Sequence, residues 1–125
     1  MNFPNTVRYT SEHEWIRIEG DEAYVGITDY AQSELGEIVF VDVPTVGEQV
    51  AQGEVFGSVE AVKTVSDLNI PASGKELEHN TEIEENPEMV NNDPYGAGWM
   101  IRVHLSDPSE LDSLMDAAAY EASLQ

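Results

Sequence analysis

Apolar and polar positions alternate early in the chain. Trp15 to Glu19 and Glu22 to Ile27 form two such runs joined across Gly20-Asp21, with Ala23, Val25 and Ile27 set against Glu22, Tyr24 and Gly26. A period of two on either side of a short turn predicts a β-hairpin. Thr28 then stands where a helix N-cap belongs, Ala31 and Leu35 share one helical face, and Gly36 supplies a stop, so a helix of one or two turns follows. Ile38, Val39, Phe40 and Val41 are apolar at every position, which predicts a strand buried on both faces within a two-layered β core. Pro44 and Gly47 end it.

Short runs continue between turn residues at Gly47, Gly53, Pro71 and Gly74, the pattern of a small sandwich or barrel. Asn86-Pro87 predicts the cap and opening of a short helix through Met89 and Val90. Beyond the turn at Asn91-Asn92-Asp93-Pro94, Trp99, Ile101, Val103 and Leu105 alternate with Met100, Arg102 and His104, giving a late strand with one core face. At the end, Asp107 as N-cap, Pro108 at the first helical position and Glu110 three residues past the cap announce a helix. Leu111, Leu114, Met115 and Ala118 lie along one stripe of it, so residues 107–124 are expected to form a helical segment, with a second break near Asp116, packed on the rest of one domain spanning 1–125.

Composition narrows the function classes. A chain of 125 residues can bury one core without staples, and no apolar run approaches the ~20 residues that span a bilayer. Against 25 Asp and Glu stand only 5 Lys and Arg, a formal charge of −20. Such a surface repels nucleic acid and anionic lipid, which are bound through basic side chains, and attracts basic protein surfaces. The opening Met1-Asn2-Phe3-Pro4-Asn5 has the pattern of neither a secretory signal nor an organellar presequence, so a prokaryotic cytoplasm is the expected compartment. There is no cysteine, which removes thiolate nucleophiles and disulfides.

Catalytic motifs are missing. His13, His79 and His104 are scattered, with no serine placed to form a nucleophile arrangement, and Glu12-His13-Glu14 lacks converging metal ligands. His13 reads as a fold-anchoring polar residue. What remains is Lys63, one of two lysines, lying between the strand-like runs Val55 to Val59 and Leu68 to Ile70. Ala61-Val62-Lys63-Thr64 contains no Gly, Pro, Asn or Asp, and by local rules it continues a strand.

Glu60-Ala61-Val62-Lys63-Thr64-Val65-Ser66-Asp67 nevertheless resembles the lipoyl-lysine motif of the H-protein family of the glycine cleavage system. Tyr9 to Trp15, Gly26 to Gln32, Leu35 to Val41, Asn91 to Gly96, Gly98-Trp99 and Leu105 to Pro108 also look like family segments in family order. The resemblance implies a mainly β, lipoyl/biotinyl-type flattened barrel-sandwich hybrid with short helices and a C-terminal helix. It also implies a tight hairpin with Lys63 at its tip. Val46 to Val50 and Ser73 to Leu77, placed either side of Lys63, hint at the internal two-fold repeat of such domains.

By the same resemblance, lipoate is joined by an amide to Lys63, and Glu14 and Asp67 border the cleft that receives the loaded arm. The implied role is a carrier, not an enzyme, taking the aminomethyl group of glycine from a pyridoxal-phosphate glycine decarboxylase to a tetrahydrofolate-dependent aminomethyltransferase. Dihydrolipoyl dehydrogenase and lipoate-attaching enzymes complete the implied partners. Biotin carriers, with methionine on both sides of the lysine, fit less well than Val62 and Thr64, as do 2-oxoacid dehydrogenase lipoyl domains, with aspartate before it. A lipoyl donor or relay for other complexes and an acidic binding module without cofactor are the alternatives.

Overall fold

The computed structural model describes residues 1–124. In chain order its elements are β1 (Arg8–Tyr9), β2 (Glu14–Glu19), β3 (Glu22–Ile27), α1 (Asp29–Leu35), β4 (Ile38–Asp42), β5 (Gln49–Val50), β6 (Val55–Ala61), β7 (Val65–Asn69), β8 (Gly74–His79), α2 (Glu82–Glu85), α3 (Glu88–Asn92), β9 (Ile101–Leu105), a 3-10 helix (Pro108–Ser113) and α4 (Ala117–Ser123). Six strands pair in the order β1-β2-β3-β9-β8-β5, and β4-β6-β7 form a second, three-stranded sheet. The fold is mainly β, as expected.

The predicted β2–β3 hairpin closes Glu19 against Glu22 across Gly20, whose φ of +70° suits glycine in so short a turn. Ile16, Val25, Ile101 and Val103 from the larger sheet meet Ile38, Phe56, Val59 and Leu68 from the smaller one in a single apolar core. A second cluster gathers Tyr9, Trp15 and Tyr120, with Tyr9 and Tyr120 stacked at 4.6 Å. The indole of Trp15 donates to the Pro94 carbonyl at 3.0 Å, which satisfies its one polar group in the interior. The two stretches that hinted at a repeat pair with each other, Gln49 opposite Lys75 and Val50 opposite Gly74.

Several expectations are corrected. β4 buries only one face: Ile38 and Val41 are inside, whereas Val39 and Phe40 are 40% and 49% exposed. It is an edge strand, and a register shift between Ile38 and Phe40 turns the intervening residue out of the alternation. Asn86 does not open α3; it closes α2, its amide donating to the Glu82 carbonyl at 2.9 Å. Met100 is buried with Ile101 because β9 begins only after it.

The 107–124 segment breaks near Asp116 as expected, but its first part is a 3-10 helix. Asp107 caps a 3-10 helix that ends at Ser113, Met115 makes a bridge with Tyr9, and Asp116 caps α4 by accepting from Ala119 N at 2.8 Å. Glu110 does not complete a capping box: its carboxylate accepts from the Ser73 amide and hydroxyl at 2.7 and 2.8 Å and ties this segment to the turn before β8. Those tertiary bonds replace the helical continuation that the apolar stripe predicts.

Candidate functional site

β6 and β7 pair antiparallel with Glu60 opposite Val65, and the Ala61 amide closes the connection by donating to the Thr64 carbonyl at 2.7 Å. Lys63 thus stands at the tip of a hairpin, with its side chain exposed. The four residues that looked like continuous strand turn back because their surroundings fix both sides. Ala61 is buried, Val59 and Leu68 anchor the two strands in the core, and the Val62 amide donates to the Glu37 carbonyl at 3.0 Å. Val62 and Val65, 71% and 61% exposed, flank the lysine.

The lysine stem lies over the end of α1. Gly36 closes that helix, its amide donating to Gln32 O at 2.9 Å, with φ +80° and ψ −153°, a region open only to glycine. A Cβ at this position would sit 3.6 Å from Lys63 Cε and 3.9 Å from Nζ. Immediately before it, Leu35 joins Ala31, Tyr30 and Glu34 along one wall of a cleft of about 300 Å³. Val59, Ser66, Asp67 and Leu68 form the facing wall, and Glu12, His13 and Glu14 its end. Glu14 and Asp67, far apart in sequence, therefore border the same cleft, one helix end away from Lys63.

Their environments differ. Asp67 is exposed at the margin of the cleft. Glu14 is only 2% exposed; its two carboxylate oxygens accept from Thr10 Oγ1 at 2.8 Å and from the Asn69 amide at 3.1 Å. Burial raises its pKa to about 7 despite those two bonds. Glu14 also borders a second cleft, of about 420 Å³, on the side of Gln52, Ile70 and Met115. Lys63 lines neither cleft itself; the smaller one is bordered by Leu35, the residue before the Gly36 over which the Lys63 stem lies.

His13 anchors the fold as expected. Its Nδ1 lies 2.8 Å from Tyr120 Oη, its ring packs 4.8 Å from Tyr30, and its φ of +69° bends the chain so that β2 begins at Glu14. Sequence reasoning missed Tyr30, Glu34 and Ser66 in the cleft, Thr10 and Asn69 as the partners of Glu14, and Gly36 under the lysine. Only Gly36 carried a signal, as the stop of α1, and that signal spoke of helix termination alone.

The family profile described as Glycine cleavage H-protein matches residues 7–125. The chain belongs to the glycine cleavage H-protein family. It is 61% identical over 122 residues to the glycine cleavage system H protein of Bacteroides fragilis, covering 98% of this chain and 97% of that one. To that of Brevibacillus brevis it is 58% identical over 125 residues, covering 100% and 99%. A crystal structure of a glycine cleavage system H protein from Mycobacterium marinum superposes with a TM-score of 0.89 at 43% identity, covering 98% of each chain. Membership in the H-protein family makes this chain the lipoyl-carrier component of a glycine cleavage system.

Proposed function

We propose that lipoate is joined to Lys63 and that the chain carries the aminomethyl group of glycine between the enzymes of the system. The observation that supports this most directly is an exposed primary amine on a hairpin tip, its stem lying beside Gly36 at the end of a helix that lines a cleft shared with the buried Glu14 carboxylate. The residues fit the group: the amine is open to a modifying enzyme, and Leu35, Ala31 and Leu68 offer apolar walls to an aliphatic arm. Once bound, lipoate supplies a dithiolane that is reduced as it takes up the one-carbon unit and is reoxidised afterwards.

The chain's own residues hold the cargo. Glu14 and Asp67 are set to accept hydrogen bonds from a cationic amine at the end of the arm, which are stronger than bonds between neutral groups. A neighbouring cation also favours the ionised form of Glu14, lowering a pKa that burial raises to about 7. The cleft walls limit access of water to the cargo. The whole chain acts as one carrier domain, its C-terminal segment fixed by Glu110 and Met115, working in the cytoplasm as a monomer. Glycine decarboxylase, the folate-dependent aminomethyltransferase, dihydrolipoyl dehydrogenase and a lipoate-attaching enzyme are its partners.

Lys75 makes the test internally controlled, because it sits within β8, paired between Gln49 and His104, and lines neither cleft. Lys63→Arg keeps the charge but cannot form the amide, and is expected to abolish both the lipoyl mass shift and carrier activity; Lys75→Arg is expected to keep both. Lipoate found on Lys75 by peptide mapping, or carrier activity persisting in Lys63→Arg, would overturn the assignment.

A further inference from the structure

The turn on which the lysine hairpin rests, residues 36–38, is held by a side chain from elsewhere in the chain. Asn91, on α3, donates from Nδ2 to the Gly36 carbonyl at 2.8 Å and to Gln32 Oε1 at 2.9 Å, and accepts at Oδ1 from the Ile38 amide at 2.9 Å. Both amide protons and one carbonyl lone pair are used. The orientation is fixed by chemistry, since Gly36 O can only accept and Ile38 N can only donate. Gln32 is braced in turn by donating from Nε2 to Asp29 Oδ1 at 2.7 Å.

We propose that Asn91, supported by Gln32, is a positioning residue for the modified lysine. It bridges the end of α1 to the start of β4, and between those two anchors the Glu37 carbonyl receives the Val62 amide at 3.0 Å, while Gly36 lies beneath the Lys63 stem. Across 53 to 55 residues of sequence, one side-chain amide thus fixes the surface that turns Ala61-Val62-Lys63-Thr64 into a hairpin. No turn residue in those four does so. Its consequence for lipoyl transfer rests on the proposed carrier role; the geometry of the clamp does not.

Asn91→Asp is the sharpest probe. It keeps the shape and the acceptor for Ile38 N, but loses both donations and sets a carboxylate oxygen against two acceptors. Amide hydrogen exchange followed by NMR on the unmodified chain is expected to show Val62 N–H exchanging about tenfold faster, with a smaller change in Gln32→Ala, which leaves both backbone bonds of Asn91 in place. The Met100 amide, bonded to Val25 O at 2.8 Å in the larger sheet, reports global stability and is expected to change much less. With a lipoate ligase, lipoate and ATP, Asn91→Asp is expected to raise KM for the carrier about tenfold while kcat is retained, because a loosened tip must be ordered on docking.

Unchanged Val62 exchange, or Val62 and Met100 accelerating by the same factor in both variants, would overturn the clamp, as would wild-type ligase kinetics in Asn91→Asp. If the wild-type chain takes no lipoate on Lys63, the carrier role falls instead, and the amide exchange still decides the clamp.

Discussion

Two buried glutamates show how one side-chain type serves different ends. Glu14 is bonded by Thr10 and Asn69 and faces two clefts; Glu76 is fully buried with neither carboxylate oxygen bonded, the Thr45 hydroxyl donating instead to Phe56 O at 2.9 Å. Burial raises the pKa of both, so the folded chain holds their protons longer than the unfolded chain does. The contribution of these two groups to stability is then most favourable below the ordinary carboxylate pKa and falls as pH rises through the folded value, about 7 for Glu14. Glu14→Gln is expected to match wild type at pH 4 and to exceed it by about 3 kcal/mol at pH 8, at roughly 1.4 kcal/mol per pKa unit, when urea midpoints are compared. The same variant, and Asp67→Ala, are expected to shorten the lifetime of the loaded arm with lipoylation intact. Equal lifetimes would remove both residues from the cargo site. Glu76→Leu touches no cleft; it is expected to stabilise by about 1–3 kcal/mol at pH 7 with no effect on carriage, and a loss of stability would show that Glu76 has a partner in solution.

At the scale of elements, the hairpin and the C-terminal segment both depart from their local signals. Val62 and Thr64 favour extended chain, yet the β6–β7 connection closes within four residues because Ala61, Glu37 and the core positions on either side hold it. The apolar stripe of Leu111, Leu114, Met115 and Ala118 is real, but the Met115 backbone amide and carbonyl both bond to Tyr9, which a continuous helix would forbid. β4 shows the same conflict in reverse: four apolar residues in a row lie at a sheet edge, leaving Val39 and Phe40 exposed.

Over the whole molecule, charge is the dominant feature. A formal −20 on 125 residues creates a field, screened over about 8 Å at physiological salt, that is expected to steer basic partner surfaces. The apparent KM of the decarboxylase for this carrier is expected to rise severalfold between low and physiological ionic strength. A flat profile would assign the charge to solubility alone. Among the described residues no helix is long and apolar enough to cross a membrane.

The sequence by itself determined the β2–β3 hairpin, the Thr28 cap, the Gly36 stop and the alternation of β9 from Ile101 onward, because period, capping and turn chemistry act between near neighbours. It also marked Lys63, through the motif around it. The hairpin at Lys63 and the cleft shared by Glu14 and Asp67 were implied only by the family resemblance and by no local rule; tertiary structure decided how they form, and that the Lys63 stem crosses Gly36. Those outcomes depend on contacts such as Asn91 with Gly36 and Ile38, and Glu14 with Asn69, which lie 53 to 55 residues apart. No local rule carries information over that distance; only the closing of the two sheets on one core brings such groups together.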